Sequence, residues 1–375
     1  MTSRFRRFTK KVLVIVNAII ILVFLLACLA PYVDPASWWF ISFAGLAFPF
    51  LLLTVLLFFI FWIFFKAKYA VISAIALIAG IRNISLLFAL HAQPSEDNSK
   101  KKDELRIVTW NVARFIELKQ NNNKGSQTRL KMMDLLKQQN ADVLCLQEFH
   151  TSIDPHYYNN IEYIRNELKY PYYYFTYEVD SKDHYYSSII FSRLPIIDTG
   201  KMYYPKPGIR EVLLHADLKF QGDTVRVYTT HLQSVLFAKS DYDKIDQIQH
   251  GDEGMIRNSK SIFSKWKLAA GIRGSQANTV RDELDRSPFP VIFTGDLNDV
   301  PTSYTYAAVR GNRRDAFLEK GFGMGRTFSA ISPTLRIDYI FTDKKYSVRR
   351  LKKYVRNLSD HYMMVADLKL NEIKN

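Results

Sequence analysis

Four short β-rich runs in the later part of this 375-residue chain each end on a side chain that can do chemistry. Leu105 to Trp110 runs into Asn111, Ala141 to Leu146 into Gln147-Glu148, Thr224 to Thr230 into His231, and Pro290 to Gly295 into Asp296-Leu297-Asn298. Asp338 follows Arg336-Ile337, and Asp360-His361 immediately precedes a last apolar run. Carboxylates and a carboxamide are hard oxygen donors of the kind that Mg²⁺ and Mn²⁺ accept. Imidazoles exchange protons near neutral pH. Such a set can neutralise charge on a phosphoryl group, activate a water and protonate a leaving oxygen, the three requirements of phosphate-ester hydrolysis. A single Asp or Asn after a strand is ordinarily a turn former, so the weight lies on the ordered set.

Buried strands deliver whatever follows them to the rim of a sheet, so these four would gather Asn, Glu, His and Asp-x-Asn at one place. Further strands read at Ser188 to Ser192, Val212 to Leu218, Arg336 to Phe341 and Tyr362 to Leu370. Helical patterns lie between them at Thr128 to Gln139, with Leu130, Met133 and Leu136 on one face, and at Ser259 to Asp285. Strands that dominate but alternate with helices predict two packed sheets covered by helices.

The motifs Thr109-Trp110-Asn111-Val112, Leu146-Gln147-Glu148, Thr230-His231-Leu232, Gly295-Asp296-Leu297-Asn298-Asp299, Arg336-Ile337-Asp338-Tyr339 and Ser359-Asp360-His361 together resemble the endonuclease/exonuclease/phosphatase superfamily, the DNase I-like metal-dependent phosphohydrolases. The resemblance runs from about Leu105 to Leu370. It implies an α+β class and a four-layer α/β/β/α sandwich over 104–372. It also implies that Glu148 is the principal ligand of Mg²⁺ or Mn²⁺, with Asn111 beside it and Asp360 able to bind metal or water. Asp296 would activate the attacking water, Asn298 would hydrogen-bond the phosphate, and His231 and His361 would flank it. Asp338 would pair with His361. Which His is the acid stays open. Arg114 and Arg273 are read as surface residues rather than phosphate contacts. The sequence departs from the DNA-repair pattern at Val112-Ala113-Arg114, where a glycine-containing stretch is expected, and again at Ser187-Ser188. It also lacks the aromatic and arginine signatures of inositol phosphatases around its Gly-Asp-x-Asn and Asp-Tyr motifs.

The first 91 residues differ in kind. They hold eight of the 51 Lys and Arg residues against one acid, Asp34, and residues 92–375 are left with net charge +8. Apolar runs at 12–30, 38–65 and 69–90 each reach the ~20 residues needed to cross a bilayer, which predicts a membrane anchor preceding a polar linker at 92–103. The third run contains Arg82, which is then expected to face the other helices, because an arginine at mid-bilayer costs about 2.5–3.5 kcal/mol. A cleaved signal peptide is the competing reading of residues 1–30, disfavoured because two more hydrophobic runs follow. Arg4, Arg6, Arg7, Lys10, Lys11, Lys66 and Lys68 mark the cytoplasmic side of a three-span anchor. The expected location is therefore a bacterial inner membrane with the catalytic domain outside the cytoplasm. Two spans would put the domain in the cytoplasm instead. Cys28 and Cys145, in an apolar run and a strand, offer neither a disulfide framework nor a zinc cluster.

The expected partners are the bilayer and a phosphoester substrate, nucleic acid or phospholipid, with no obligate protein partner. The basic cluster Lys344, Lys345, Arg349, Arg350, Lys352, Lys353 and Arg356 suits a polyanion or, equally, a protected sheet edge. The polar stretch from Lys239 to Lys260 is expected to form a loop that shapes the site. A catalytically inactive, membrane-tethered polyanion-binding module is the alternative, and the filling of every expected catalytic position argues against it.

Overall fold

The computed structural model describes residues 3–91, 99–121, 124–205, 211–235, 241 and 255–371. The expected linker at 92–103 and loop at 239–260 lie largely outside these residues. The chain begins with helices α1 (Ser3–Cys28), α2 (Trp39–Leu46), α3 (Phe48–Phe65), α4 (Ala67–Ala79) and α5 (Ile81–Leu87). Two helical stretches, Arg4–Tyr32 and Phe48–Phe65, are long and apolar enough to cross a membrane; α4 and α5, bent by 64° relative to each other, make a third if they form one span.

The apolar run at 38–65 is thus divided into α2 and α3. Pro49 stands in the first turn of α3, where proline is tolerated, but its ring and missing N–H would break a helix continuing from α2. Within the bent pair it is Asn83, not Arg82, that is buried, donating to the Cys28 carbonyl at 3.3 Å. Arg82 is exposed, with its guanidinium over the Tyr32 ring at 5.4 Å. The chain then enters β1 (Ala89–Leu90), which pairs with β12 (Phe322–Gly323).

The remaining strands form two sheets. One runs in the order β14 (Tyr346–Tyr354), β15 (Met363–Leu370), β2 (Glu104–Asn111), β3 (Val143–Ser152), β6 (His184–Ser192), β4 (Tyr172–Phe175), with β5 (Val179–Ser181) on β6. The other runs β11 (Arg314–Asp315), β13 (Asp338–Thr342), β10 (Val291–Asp296), β9 (Asp223–His231), β8 (Val212–Phe220), β7 (Ile196–Tyr203). Leu105, Ile107, Val143 and Ile190 of the first sheet meet Leu214, Val225, Val227, Ile292 and Ile340 of the second in a shared core. The outer face of the first sheet is covered by α6 (Thr128–Gln139) and α7 (Asn160–Glu167), through Met132, Met133, Leu136, Ile161 and Ile164. That of the second is covered by α8 (Met255–Asp285) and α9 (Tyr304–Arg310), through Ala277, Val280, Leu284, Tyr306 and Val309. The result is the expected four-layer sandwich.

Two parallel pairs place the site. β2 lies parallel to β3 with Asn111 opposite Gln147, and β9 lies parallel to β10 with His231 opposite Asp296. Parallel neighbours need a crossover of a dozen or more residues, supplied here by segments containing α6 and α8. Their carboxyl ends therefore emerge on one rim. Gln147 ties the sheets together there, donating through Nε2 to Thr229 Oγ1 at 2.9 Å. The basic cluster lies on and around β14, the outermost strand of its sheet, as the edge-protection reading requires.

A short helix α10 (Ala316–Lys320) follows β11. Beside it, buried Arg336 pairs with Asp315 at 2.6 Å and donates to the Leu86 carbonyl at 2.7 Å, joining the sandwich to the N-terminal helices. Arg336→Met leaves the Asp315 carboxylate buried without its cation, a change that costs about 3–5 kcal/mol. Unfolding of the full chain in detergent should show that loss; an unchanged midpoint would contradict the pairing.

Candidate active site

Each functional side chain is aimed by a local backbone feature. Glu148 sits where the β3–β6 register shifts between Leu146 and Phe149 and has a φ of 49°. Such a bulge re-aims one side chain out of the alternation of a strand. Asn298 has a φ of 50°, a conformation that Asn tolerates better than most residues. Gly295 precedes Asp296, and a Cβ on it would lie 2.4 Å from the Thr230 carbonyl oxygen. Only glycine lets β10 pack that closely on β9. After Asn111, where glycine was expected, Ala113, Arg114, Phe115 and Ile116 all have positive φ, from 44° to 64°. Such residues each hold strain of order 1–2 kcal/mol, stored next to the site.

The side chains converge. Asn111 donates through Nδ2 to both Glu148 Oε1 and Asp296 Oδ2 at 3.1 Å, while its Oδ1 accepts from the Ala113 N–H. Asp296 Oδ1 accepts from the Asn298 N–H at 2.8 Å. Its Oδ2 lies 3.6 Å from His361 Nε2 and 3.7 Å from His231 Nε2. His361 Nδ1 is held by Asp338 at 2.9 Å, and His231 Nδ1 by Glu211 at 3.0 Å. Glu148, His231, Asp296, Asn298, Asp360 and His361 all line one cavity of about 630 Å³, within the range of ligand pockets. Asp338 is buried directly behind His361.

Electrostatics follow from this packing. Burial alone would depress the His361 imidazole, but Asp338 and Asp296 outweigh it and raise its pKa to about 10. Burial likewise opposes the cation at His231, and Glu211, Asp296 and Glu148 together raise it to about 10. One contact works the other way at His231: Asn298 Nδ2, which donates to the Leu232 carbonyl, also meets His231 Nε2 at 2.9 Å and favours the tautomer protonated on Nδ1. Asp296 is fully buried, and burial followed by the nearby Asp338 carboxylate raises it to about 6 against the pull of both imidazoles.

Asp296, Asp338 and His361 bring donor atoms within 4.8 Å of one another, an acid–imidazole composition that can hold a metal. His361 Nδ1 is already hydrogen-bonded to Asp338, however, so two of the three groups are engaged with each other. Glu148 is different. Its side chain is 29% exposed, and Asn111 orients it.

Glu211 was not anticipated as the His231 partner. It belongs to no motif and reaches the site only because β8 lies beside β9. Arg273, expected at the surface, is buried in the cavity wall, donating to the Gln233 carbonyl at 3.0 Å and standing 3.5 Å from Asp299. Arg114 pairs with Asp180 at 2.9 Å and stacks on Tyr186, and it does not line the cavity.

Several solved structures are similar to this chain. An endonuclease/exonuclease/phosphatase from Beutenbergia cavernae is 21% identical, with a TM-score of 0.51 over 72% of each chain. A humanized D. rerio TDP2 is 19% identical over 72% of this chain and 100% of its own, with a TM-score of 0.49. The human Nocturnin catalytic domain with bound sulfate is 16% identical over 73% and 97%, with a TM-score of 0.48. No curated protein matches the chain significantly. Residues 10–87 match a domain of unknown function, DUF8431. Residues 108–361, more than half of the protein and every residue of the rim, match the Endonuclease/Exonuclease/phosphatase family, and the chain belongs to that family.

Proposed function

We propose that the protein is a membrane-anchored, divalent-metal-dependent hydrolase of phosphodiester or phosphomonoester bonds. Carrying this reading is the single cavity shared by Glu148, His231, Asp296, Asn298, Asp360 and His361. Members of the family are generally phosphoester hydrolases, and the fold alone does not choose a substrate.

Asp296 takes a proton from the attacking water as the water oxygen bonds to phosphorus. With a pKa near 6 it is ionised at neutral pH yet basic enough to accept that proton. His361, fixed by Asp338, and His231, fixed by Glu211, turn their Nε2 edges toward Asp296 and the cavity. Their cations stabilise the charge that grows on the phosphoryl oxygens, and one of them protonates the leaving oxygen as its bond to phosphorus breaks. Asn298 Nδ2, which keeps its bond to the Leu232 carbonyl, is released from His231 Nε2 when that imidazole is protonated and then hydrogen-bonds the phosphate. Glu148 and Asp360 are the hard oxygen ligands on the cavity wall, with Asn111 orienting Glu148. They suit Mg²⁺ or Mn²⁺, which when bound would neutralise phosphoryl charge.

The chain path supports an anchor that places this domain outside the cytoplasm. The segment after α1 rests on α8, where a Cβ on Gly274 would meet Pro35 Cγ at 2.6 Å. At the other end of α1, Lys10 lies 5.8 Å from the Tyr69 ring, close to Lys66 and Lys68. Lys10 and Lys68 thus share the end of the bundle away from the catalytic domain, where Tyr69 lies, while Arg82 stands at the other end over Tyr32, and the positive-inside rule puts the more basic end in the cytoplasm. α4 and α5 then lead back to β1 on the sandwich, as a third crossing requires. The corresponding location is a bacterial inner membrane with an external substrate. No observation favours an idle binding module.

The full chain in detergent should hydrolyse bis-p-nitrophenyl phosphate with Mg²⁺ or Mn²⁺, lose that activity in EDTA and regain it on restoring the ion. Turnover unaffected by EDTA, or none with any divalent ion, would overturn the proposal.

A further inference from the structure

The cavity that holds the phosphate chemistry has a second wall of a different character. α2 supplies Phe43 and Leu46, and α8 supplies Ile262, Phe263 and Trp266. The Phe43 ring lies 4.8 Å from Phe263 and 5.2 Å from Trp266. This wall is fixed to the sandwich: Thr302 Oγ1 donates to the Gly45 carbonyl at 2.9 Å. A Cβ on Gly45 would come within 2.6 Å of Ala30 Cβ and 3.1 Å of the Thr302 carbonyl oxygen, so α2 seats there only with glycine.

The position of α2 in the chain decides what the wall is for. It lies between the two helices long enough to cross a bilayer, so one side of the cavity is built at the membrane boundary. Trp38 and Phe40, 50% and 44% exposed, belong to the same segment, and aromatic side chains of this kind settle at that boundary. Among the described residues lining the cavity, Arg273 is the single Lys or Arg, and its guanidinium is engaged with Gln233 and Asp299. A nucleic-acid groove needs a run of cations to match successive phosphates, and the basic cluster around β14 does not line this cavity. What fits is one phosphate joined to an apolar chain.

We propose that the scissile phosphoester belongs to a membrane lipid whose hydrocarbon chain lies along the wall formed by Phe43, Leu46, Ile262 and Trp266. The inference rests on the phosphoesterase reading and names its substrate class. In the lipid, water adds to phosphorus, one P–O ester bond breaks, and the leaving oxygen is protonated within the site.

The test uses the full chain in detergent with Mg²⁺ or Mn²⁺ and a series of p-nitrophenyl alkyl phosphates, ethyl to octyl, each below its micellar threshold. Release of p-nitrophenol reports breakage of the same P–O bond throughout. Burial of each added methylene should raise kcat/KM about fourfold, and Phe43→Ser and Ile262→Ser should each flatten the dependence on chain length. The series on the parent protein is decisive even where a variant fails to fold. Hydrolysis of every ester with no dependence on chain length would overturn the lipid inference and leave the phosphoesterase reading standing. Cleavage of a single-stranded oligonucleotide with a higher kcat/KM than the octyl ester would overturn it in favour of nucleic acid. Hydrolysis of no ester, bis-p-nitrophenyl phosphate included, would overturn both.

Discussion

Asp296→Asn should lower kcat on the order of 10³-fold, within the range for loss of a general base, while the protein melts no lower than its parent. A carboxamide cannot take the proton of the attacking water. It can still accept the Asn298 N–H that Asp296 Oδ1 accepts at 2.8 Å. The stability half follows from the raised pKa. An acid that titrates near 6 in the folded protein, above the ordinary carboxylate value, binds its proton more tightly when folded. Protonation therefore favours folding as pH falls through 6, and above that pH the carboxylate is held in the interior at a cost. Asn carries no charge to bury, which offsets the loss of the hydrogen bond that Asp296 Oδ2 accepts from Asn111 Nδ2 at 3.1 Å. Activity is surrendered where the native residue is the strained choice. Measuring kcat and the thermal midpoint at pH 8 checks both halves, and a variant that turns over normally would remove Asp296 from the chemistry.

Asp338→Asn should act through His361. Asp338 is the first of the carboxylates that hold this imidazole up near pH 10 against burial, with Nδ1 on its Oδ2 at 2.9 Å. Without it, the alkaline limb of the kcat/KM profile should move from about 10 toward the ordinary imidazole value, and the rate at pH 8 should fall about 10²-fold, the lower range for loss of a general acid. The sign for stability is the reverse of that for Asp296. A His whose folded pKa is raised contributes stability that is fully present below its unfolded value of about 6.5 and disappears as pH rises through about 10. The variant should therefore lose stability chiefly at acid and neutral pH and differ least from its parent above pH 10. An alkaline limb that stays in place would show that His361 does not carry the acid function.

The sequence made the rim legible because its parts are local. Alternation in Thr224 to Thr230 and the dense apolar run in Pro290 to Gly295 mark strands before any partner is known, and the polar residue closing each run lies where a strand must stop. The helix read at Thr128 to Gln139 has those bounds in the structure, and the one read at Ser259 to Asp285 begins earlier, at Met255. What was not legible depends on contacts distant in the chain. Glu211 became the His231 partner through pairing of β8 with β9, a relation no spacing encodes. Arg273 was read as a surface residue because a charged side chain on a mostly polar helix usually is one; its burial depends on Asp299 and the Gln233 carbonyl arriving from elsewhere. In the apolar run at 38–65, hydropathy cannot distinguish a face that meets protein from one that meets lipid. The signals were Pro49, which divides α2 from α3, and Gly45, which lets α2 approach Thr302.

The convergence of these side chains on one phosphate is tested most directly by crystals of the full chain grown with Mn²⁺ and inorganic phosphate, with data collected at the manganese edge. The expected result is an anomalous peak at the carboxylate of Glu148, with phosphate between that peak and the two imidazoles. Manganese bound instead between Asp338 and His361, or phosphate density elsewhere while the rim stays clear, would contradict it.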